Sequence, residues 1–254
     1  MKELVAELRT ALARRGAEAG PLDVFFRDDD VDEDEESLRL LLALFLRRGA
    51  PVILGVIPGG LSASAVGLLA AHPGAIELTQ HGWRHLNHEP EGRKCEFGPS
   101  RTFGEQLDDI ARGKARMTEA FGPGWFPAFI PPWNRCTAET CRALDELGFE
   151  VLSRNRGAAS YPGHRLREFP VTLDLYRWRD GAVPRPEAEV VGDLAGQVAG
   201  REPIGIMLHH KVMTAGCFSL VEGLLEAFSR SPVVRYHTFR SLIESGRDDE
   251  TAKG

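Results

Sequence analysis

The sequence predicts an α/β fold and, within that class, a (β/α) barrel of about seven to eight parallel strands. Three observations lead there. Short apolar runs alternate with segments of 3.6-residue periodicity along most of the chain. About eight such units fit into 254 residues, the length of one barrel domain. The residues able to do chemistry follow the apolar runs rather than precede them, and parallel α/β folds bind ligands beyond the carboxyl ends of their strands. A doubly wound sheet is the second architecture that fits. No repeat, low-complexity tract or linker divides the chain, so residues 1–254 read as a single domain.

The first element, within residues 1–20, is a charged amphipathic helix (MKELVAELRTALARRG) without the apolar core of a signal peptide. Strands are expected at Val24–Arg27, Val52–Ile57, Ala75–Thr79, Pro127–Ile130, Glu150–Ser153, Phe169–Leu173, Ile204–Leu208 and Val233–Tyr236. Helices are expected at Ser37–Arg48, Phe103–Phe121, Ala138–Leu147, Pro186–Ala199 and Leu220–Ser229. Pro186 suits a first turn, and Gly49, Gly148 and Gly200 fall where left-handed caps are common. Residues 246–254 read as a disordered tail.

A net charge of −6 without a basic stripe argues against nucleic acid or an anionic membrane surface as partner. No segment reaches 18 uninterrupted apolar residues, so no membrane insertion is expected. The four cysteines, Cys95, Cys136, Cys141 and Cys217, form no Cys-x-x-Cys pair and read as reduced thiols of a cytoplasmic protein.

Two segments carry the strongest chemistry. Asp28-Asp29-Asp30 abuts the apolar run Val24-Phe25-Phe26, so at least one carboxylate must sit near the interior and needs a cation or strong donors. Asp32 to Glu36 read more simply as a solvated helix N-terminus. In His81-Gly82-Trp83-Arg84-His85 the two histidines would share one side of a helical turn, as two ligands of one metal require. Alone, that spacing also suits structural histidines. Together the segments offer the mixed nitrogen and oxygen donors of a catalytic zinc-type site.

Ile130-Pro131-Pro132-Trp133-Asn134-Arg135 is a rigid turn bearing an aromatic, either a packing tryptophan or a sugar-facing wall. Ile204 to Leu208 is a buried strand ending in His209 and His210, which alternation sends to opposite sides; one could act as a general acid. The polar segment Leu86 to Arg101, with Arg93, Lys94, Glu96 and Arg101, is either a surface loop or a substrate-selecting one.

In this order the segments resemble the polysaccharide deacetylase family, carbohydrate esterase family 4. The carrying motifs are Arg27-Asp28-Asp29-Asp30-Val31, His81-Gly82-Trp83-Arg84-His85, Ile130-Pro131-Pro132-Trp133, Asp174-Leu175-Tyr176-Arg177-Trp178 and Leu208-His209. The resemblance implies a distorted (β/α) barrel holding one divalent metal, usually Zn2+, that removes acetyl groups from N-acetylated sugars. It implies Asp30, His81 and His85 as metal ligands, Asp29 as base and His209 as acid. The alternative register makes Asp28 the base and Asp29 the ligand. Trp133, Pro132, Arg135 and His210 are the expected substrate-binding residues. Three departures mark a divergent branch: Gly82 stands for the family's Ser/Thr; Ile130 stands for the arginine that holds the base; and the aspartate orienting that arginine is Arg177 or absent. Arg27, Arg135 or Arg177 could supply the missing charge. The expected function is deacylation of an N-acylated sugar or related small amide. Two alternatives stay open: a catalytically decayed carbohydrate-binding or regulatory barrel, and a metal-dependent hydrolase of a non-sugar amide.

Overall fold

The computed structural model describes residues 2–18, 20–179 and 181–251. In chain order the elements are α1 (Lys2–Glu18), β1 (Leu22–Val31), α2 (Glu36–Arg48), β2 (Val52–Val56), α3 (Ala63–Ala70), β3 (Ile76–His81), α4 (Phe103–Phe121), β4 (Trp125–Ile130), α5 (Ala138–Glu146), β5 (Val151–Leu152), β6 (Arg167–Glu168), β7 (Leu173–Asp174), β8 (Tyr176–Arg177), β9 (Val183–Pro184), α6 (Glu187–Gln197), β10 (Ile204–Leu208), α7 (Ala215–Ser229), β11 (Val234–Tyr236) and α8 (Phe239–Thr251). The main sheet is parallel, in the order β6-β5-β4-β3-β2-β1-β10-β7, with β11 also pairing with β1. Strands β8 and β9 form a separate antiparallel hairpin.

The two ends of that order belong to one stretch of chain. Arg167 and Glu168 pair with Val151 and Leu152, and Val171 bridges Asn155. Two residues later Leu173 and Asp174 pair with Ile206 and Met207 of β10. The stretch thus leaves β5 and joins β10, and the sheet curls into a distorted barrel. Its staves are β1, β2, β3, β4, β5, the β6–β7 stretch and β10.

Strand alternation divides the apolar residues into two layers. Val24, Phe26, Leu54, Val56, Ile206 and Leu208 belong to the larger one, which also holds the helices' apolar residues. Phe26 there meets Phe45 of α2 and Phe228 of α7 edge-on. Phe25, Ile53, Ala128, Ile130, Val151, Val171 and Met207 form the second layer, with Phe239, Leu242 and Ile243 of α8 packed into it as a plug. Each such side chain, fully buried, contributes about 1.5–3 kcal/mol. Glu77 of β3 accepts the Phe239 and Arg240 N–H groups at 2.7 and 3.1 Å and so caps the plug helix.

Several elements depart from expectation. β1 continues through Asp28, Asp29 and Asp30 to Val31, and β3 includes His81, so these residues lie in the strands rather than after them. Residues 81–85 are not a helical turn: Gly82 and His85 take φ of 60° and 56°. Gly49 and Gly148 are left-handed as expected, but Gly200 is not. Residues 246–251 lie within α8; the remainder of the expected tail, 252–254, lies outside the described residues.

Candidate metal centre and active site

The site is built at the carboxyl ends of β1, β3, β4 and β10. Along β1, Phe25 and Arg27 face the barrel interior, and Asp29 follows on the same side. Asp28 faces out. Asp30 would also face out, but its φ of 73° breaks the alternation, and the pairing of β1 with β2 shifts register between Asp28 and Val31. A left-handed aspartate is tolerated where a larger or β-branched residue would be strained. The result turns Asp30 toward β3.

Asp30 Oδ1 lies 3.1 Å from His81 Nε2 and 3.3 Å from His85 Nε2. Ligand atoms of these three residues all fall within 4.8 Å of one another, and among the described residues they are the only such group. Burial would raise the Asp30 pKa, but the His81 hydrogen bond and the charges of His81, His85 and His209 outweigh it and hold Asp30 below the usual carboxylate range. Burial and the charge of His81 push His85 down to about 4, so its ring is neutral at pH 7.

The donor set fits a divalent metal. Two imidazole nitrogens and one carboxylate oxygen are a catalytic-zinc combination, and bonds of about 2.0–2.1 Å place tetrahedral donors about 3.3 Å apart. His81 Nδ1 lies 3.0 Å from the Ile130 carbonyl. That oxygen can only accept, so Nδ1 is protonated, and Nε2, on giving up the proton it shares with Asp30, would offer its lone pair to a metal.

The turn between the histidines is held by a residue from the long loop. The Trp83 and Arg84 N–H groups donate to Glu96 at 3.2 and 2.7 Å. A Cβ at position 82 would meet Glu96 Oε2 at 2.1 Å and Pro132 Cγ at 2.5 Å, at a φ of 60°. Glycine is thus required twice over, by approach and by conformation. The buried Glu96 carboxylate, its pKa raised by burial, occupies the space a Ser or Thr side chain would need.

Asp29 has a different environment. Arg27, fully buried, donates from Nη2 to Asp29 Oδ2 at 2.9 Å and to Asn134 Oδ1 at 2.7 Å. Its Nη1 reaches the Ser153 carbonyl and Oγ at 3.1 and 2.9 Å. Asp29 Oδ1 is buried with no hydrogen-bond partner. A Cβ at Gly55 would stand 3.2 Å from that oxygen and 3.3 Å from His81 Cβ, so any side chain at position 55 would crowd it. Asn134 and Trp133 take consecutive left-handed φ values of 57° and 56°, each costing about 1–3 kcal/mol. The Arg27–Asn134 bond helps hold this turn, which sets the Trp133 ring 4.3 Å from His85.

His209 follows β10, whose register with β1 pairs Leu208 with Asp28 and so brings His209 level with Asp29. Its ring meets the half-exposed Trp178 edge-on at 4.5 Å, and its Nδ1 is buried without a partner. Trp178 donates to Asp174 Oδ2 at 2.7 Å, and burial raises the Asp174 pKa. On the opposite side of the strand, His210 is fully buried against Asp28. Its N–H donates to Asp28 Oδ1 at 2.8 Å and its Nδ1 lies 2.6 Å from Oδ2. Burial lowers the His210 pKa, but the charge and hydrogen bond of Asp28 raise it further, with a net rise.

The structure therefore gathers Asp29, Asp30, His81, His85, His209, Pro132 and Trp133 at one strand-end site. It removes His210 and Asp28, which alternation sends to the outer face. It also removes Arg135, whose guanidinium is bound to the Lys94 carbonyl at 2.8 Å, and Arg177, which pairs with Glu189 on the surface. From the sequence alone no role is expected of Asn134, Ser153 or Trp178, although Asn134 and Trp178 lie inside the quoted segments. No sequence signal marked Glu96 as the support of the histidine turn.

Neither protein-family models nor curated protein sequences give a match. Solved structures do. A protein described as a polysaccharide deacetylase from Mycobacterium smegmatis superposes with a TM-score of 0.74 at 15% identity over 92% of each chain. A family 4 acetyl xylan esterase from Clostridium thermocellum, in complex with a cobalt ion, gives 0.58 at 15%, over 87% of this chain and 90% of that one. A family 4 pseudoenzyme from Bacillus anthracis gives 0.56 at 13%, over 85% and 63%. The motifs, the curled parallel sheet and these superpositions agree: the chain has the fold of the family 4 polysaccharide deacetylases.

Proposed function

We propose that this chain is a metal-dependent hydrolase that removes an acetyl or related acyl group from an N-acylated sugar or similar small amide. The carrying observation is the convergence of Asp30, His81 and His85 on one point beside a carboxylate, Asp29, with an unpaired buried oxygen. Asp30, His81 and His85 would hold the cation, zinc or another divalent metal, which when bound supplies an acidified water and polarises the acyl carbonyl. Asp29 takes the water's proton on Oδ1 while Arg27 fixes Oδ2. His209 gives a proton to the departing nitrogen. Trp133 and Trp178 flank the site, Trp133 against His85 and Trp178 against His209, and offer apolar walls to a sugar ring. The buried free thiols support a cytoplasmic location.

A decayed barrel is the rival reading, favoured by the missing arginine at position 130 and by the pseudoenzyme among similar structures. The Arg27–Asp29 pair argues against decay, because it supplies the charge that position 130 lacks. Acetate release from N-acetylated sugars by the zinc-loaded protein separates the two. The hydrolase reading expects release that chelation abolishes; no release from any N-acyl compound, with zinc bound, favours the decayed barrel.

A further inference from the structure

We infer that Arg27 is a positioning residue that fixes the base and one wall of the site at once, a guanidinium moved from the β4 end to the interior face of β1. The inference rests on the reading of Asp29 as base. Four observations carry it. Arg27 is fully buried in the barrel, where no solvent competes for its donors. One nitrogen, Nη2, is shared among Asp29 Oδ2, Asn134 Oδ1 and, at 3.0 Å, Met207 Sδ. The other end is anchored on Ser153 of the opposite side of the barrel, so the guanidinium has little freedom to follow Asp29 if it moves. Ile130 borders the same space: its Cδ1 and Asp29 Oδ1 both stand 3.2 Å from the point where a Cβ on Gly55 would be. Position 130 thus reaches the carboxylate from β4, and Arg27 reaches it from β1.

This arrangement couples two things. Through Asp29 it sets where the proton is taken, and through Asn134 it holds the left-handed turn that presents Trp133 to His85. Losing Arg27 acts on turnover and on substrate affinity together, and losing the Asn134 amide acts mainly on substrate affinity.

The test compares Arg27→Met, Arg27→Met/Ile130→Arg, Asn134→Ala and the thermal cycle of Arg27→Met with Asp29→Asn, all in the zinc-loaded protein on the best N-acetylated sugar found. Arg27→Met is expected to lower kcat about 100-fold, as displacement of a reacting group does, and to raise KM about as far as Asn134→Ala does, with zinc content unchanged. Returning the guanidinium at position 130 is expected to recover at least tenfold of that loss. Asn134→Ala is expected to raise KM more than it lowers kcat. Arg27→Met/Asp29→Asn is expected to melt above Arg27→Met alone, because the unpaired buried charge is gone; if Arg27→Met does not fold, folding of the double variant gives the same answer. Unchanged kcat in Arg27→Met, an Arg27→Met/Ile130→Arg variant no more active than Arg27→Met, or additive thermal effects would each overturn the inference. If the wild type turns over no N-acyl compound, the functional reading fails and the thermal cycle alone decides the role of Arg27.

Discussion

Asp28 and Asp29 are neighbours, both buried, each paired with a basic side chain, yet the two faces of β1 use them differently. On the outer face both oxygens of Asp28 are spent on His210, one on its N–H and one on its ring. On the inner face Arg27 takes one oxygen of Asp29 and leaves the other unpaired. A carboxylate with no spare oxygen is a brace, whereas one with a spare oxygen can accept a proton. The difference assigns structure to Asp28 and chemistry to Asp29, and it follows from which way a strand residue points.

The sharpest way to break that comparison is to amidate each aspartate in turn. Asp29→Asn is expected to lower kcat by about 10²–10⁴, the range for a lost general base, while retaining bound metal and fold. Asp28→Asn is expected to keep kcat within about tenfold while lowering the melting temperature, since it weakens a buried pair. Steady-state kinetics beside calorimetry would reveal a reversed assignment at once.

The next largest effect is on stability. His210→Leu removes the ring partner of Asp28, leaving its carboxylate only the backbone N–H of residue 210, and is expected to cost about 3–5 kcal/mol. The sign of its pH dependence follows from the raised pKa of His210. The wild-type advantage is fully present below the unfolded value of about 6.5 and is lost as pH rises through the higher folded value. Denaturant unfolding at pH 6 and at pH 9 checks it; a variant deficit that grows with pH contradicts the pairing. A smaller effect is expected at the histidine turn. Gly82→Ala pushes a methyl group into Glu96 at a left-handed φ, and should cost about 1–3 kcal/mol and weaken metal binding, both measurable in one zinc titration followed by thermal melting.

The comparison also shows where the sequence is legible. Phe103–Phe121 is legible to its boundaries from its 3.6-residue periodicity, and the structure closes its start with a capping box of Thr102 and Glu105. The motif residues Asp30, His81, His85 and His209 meet as the motif order suggested. α3 was missed because Ala63–Ala70 has no polar residue except Ser64 to give it a face, and α8 because its buried start runs into a charged end. The three aspartates read as the end of a strand because carboxylates are unusual inside one; Asp28 and Asp29 are accommodated within β1 because His210 and Arg27 are there to pair with them. Glu96 and Arg27 were only partly legible for a related reason: Glu96 reads as a residue of a polar loop, and Arg27 as one of three arginines able to supply the missing charge. Each supports a motif residue through a contact that only the folded barrel creates, and pattern spacing carries no trace of it.

The central claim is that Asp30, His81 and His85 form the metal centre and that Asp28 lies outside it. The most direct test is the zinc retained per chain after dialysis of wild type, His81→Ala and Asp28→Asn. The account expects one equivalent, none and one. A full equivalent in His81→Ala, or its loss in a folded Asp28→Asn, would contradict it.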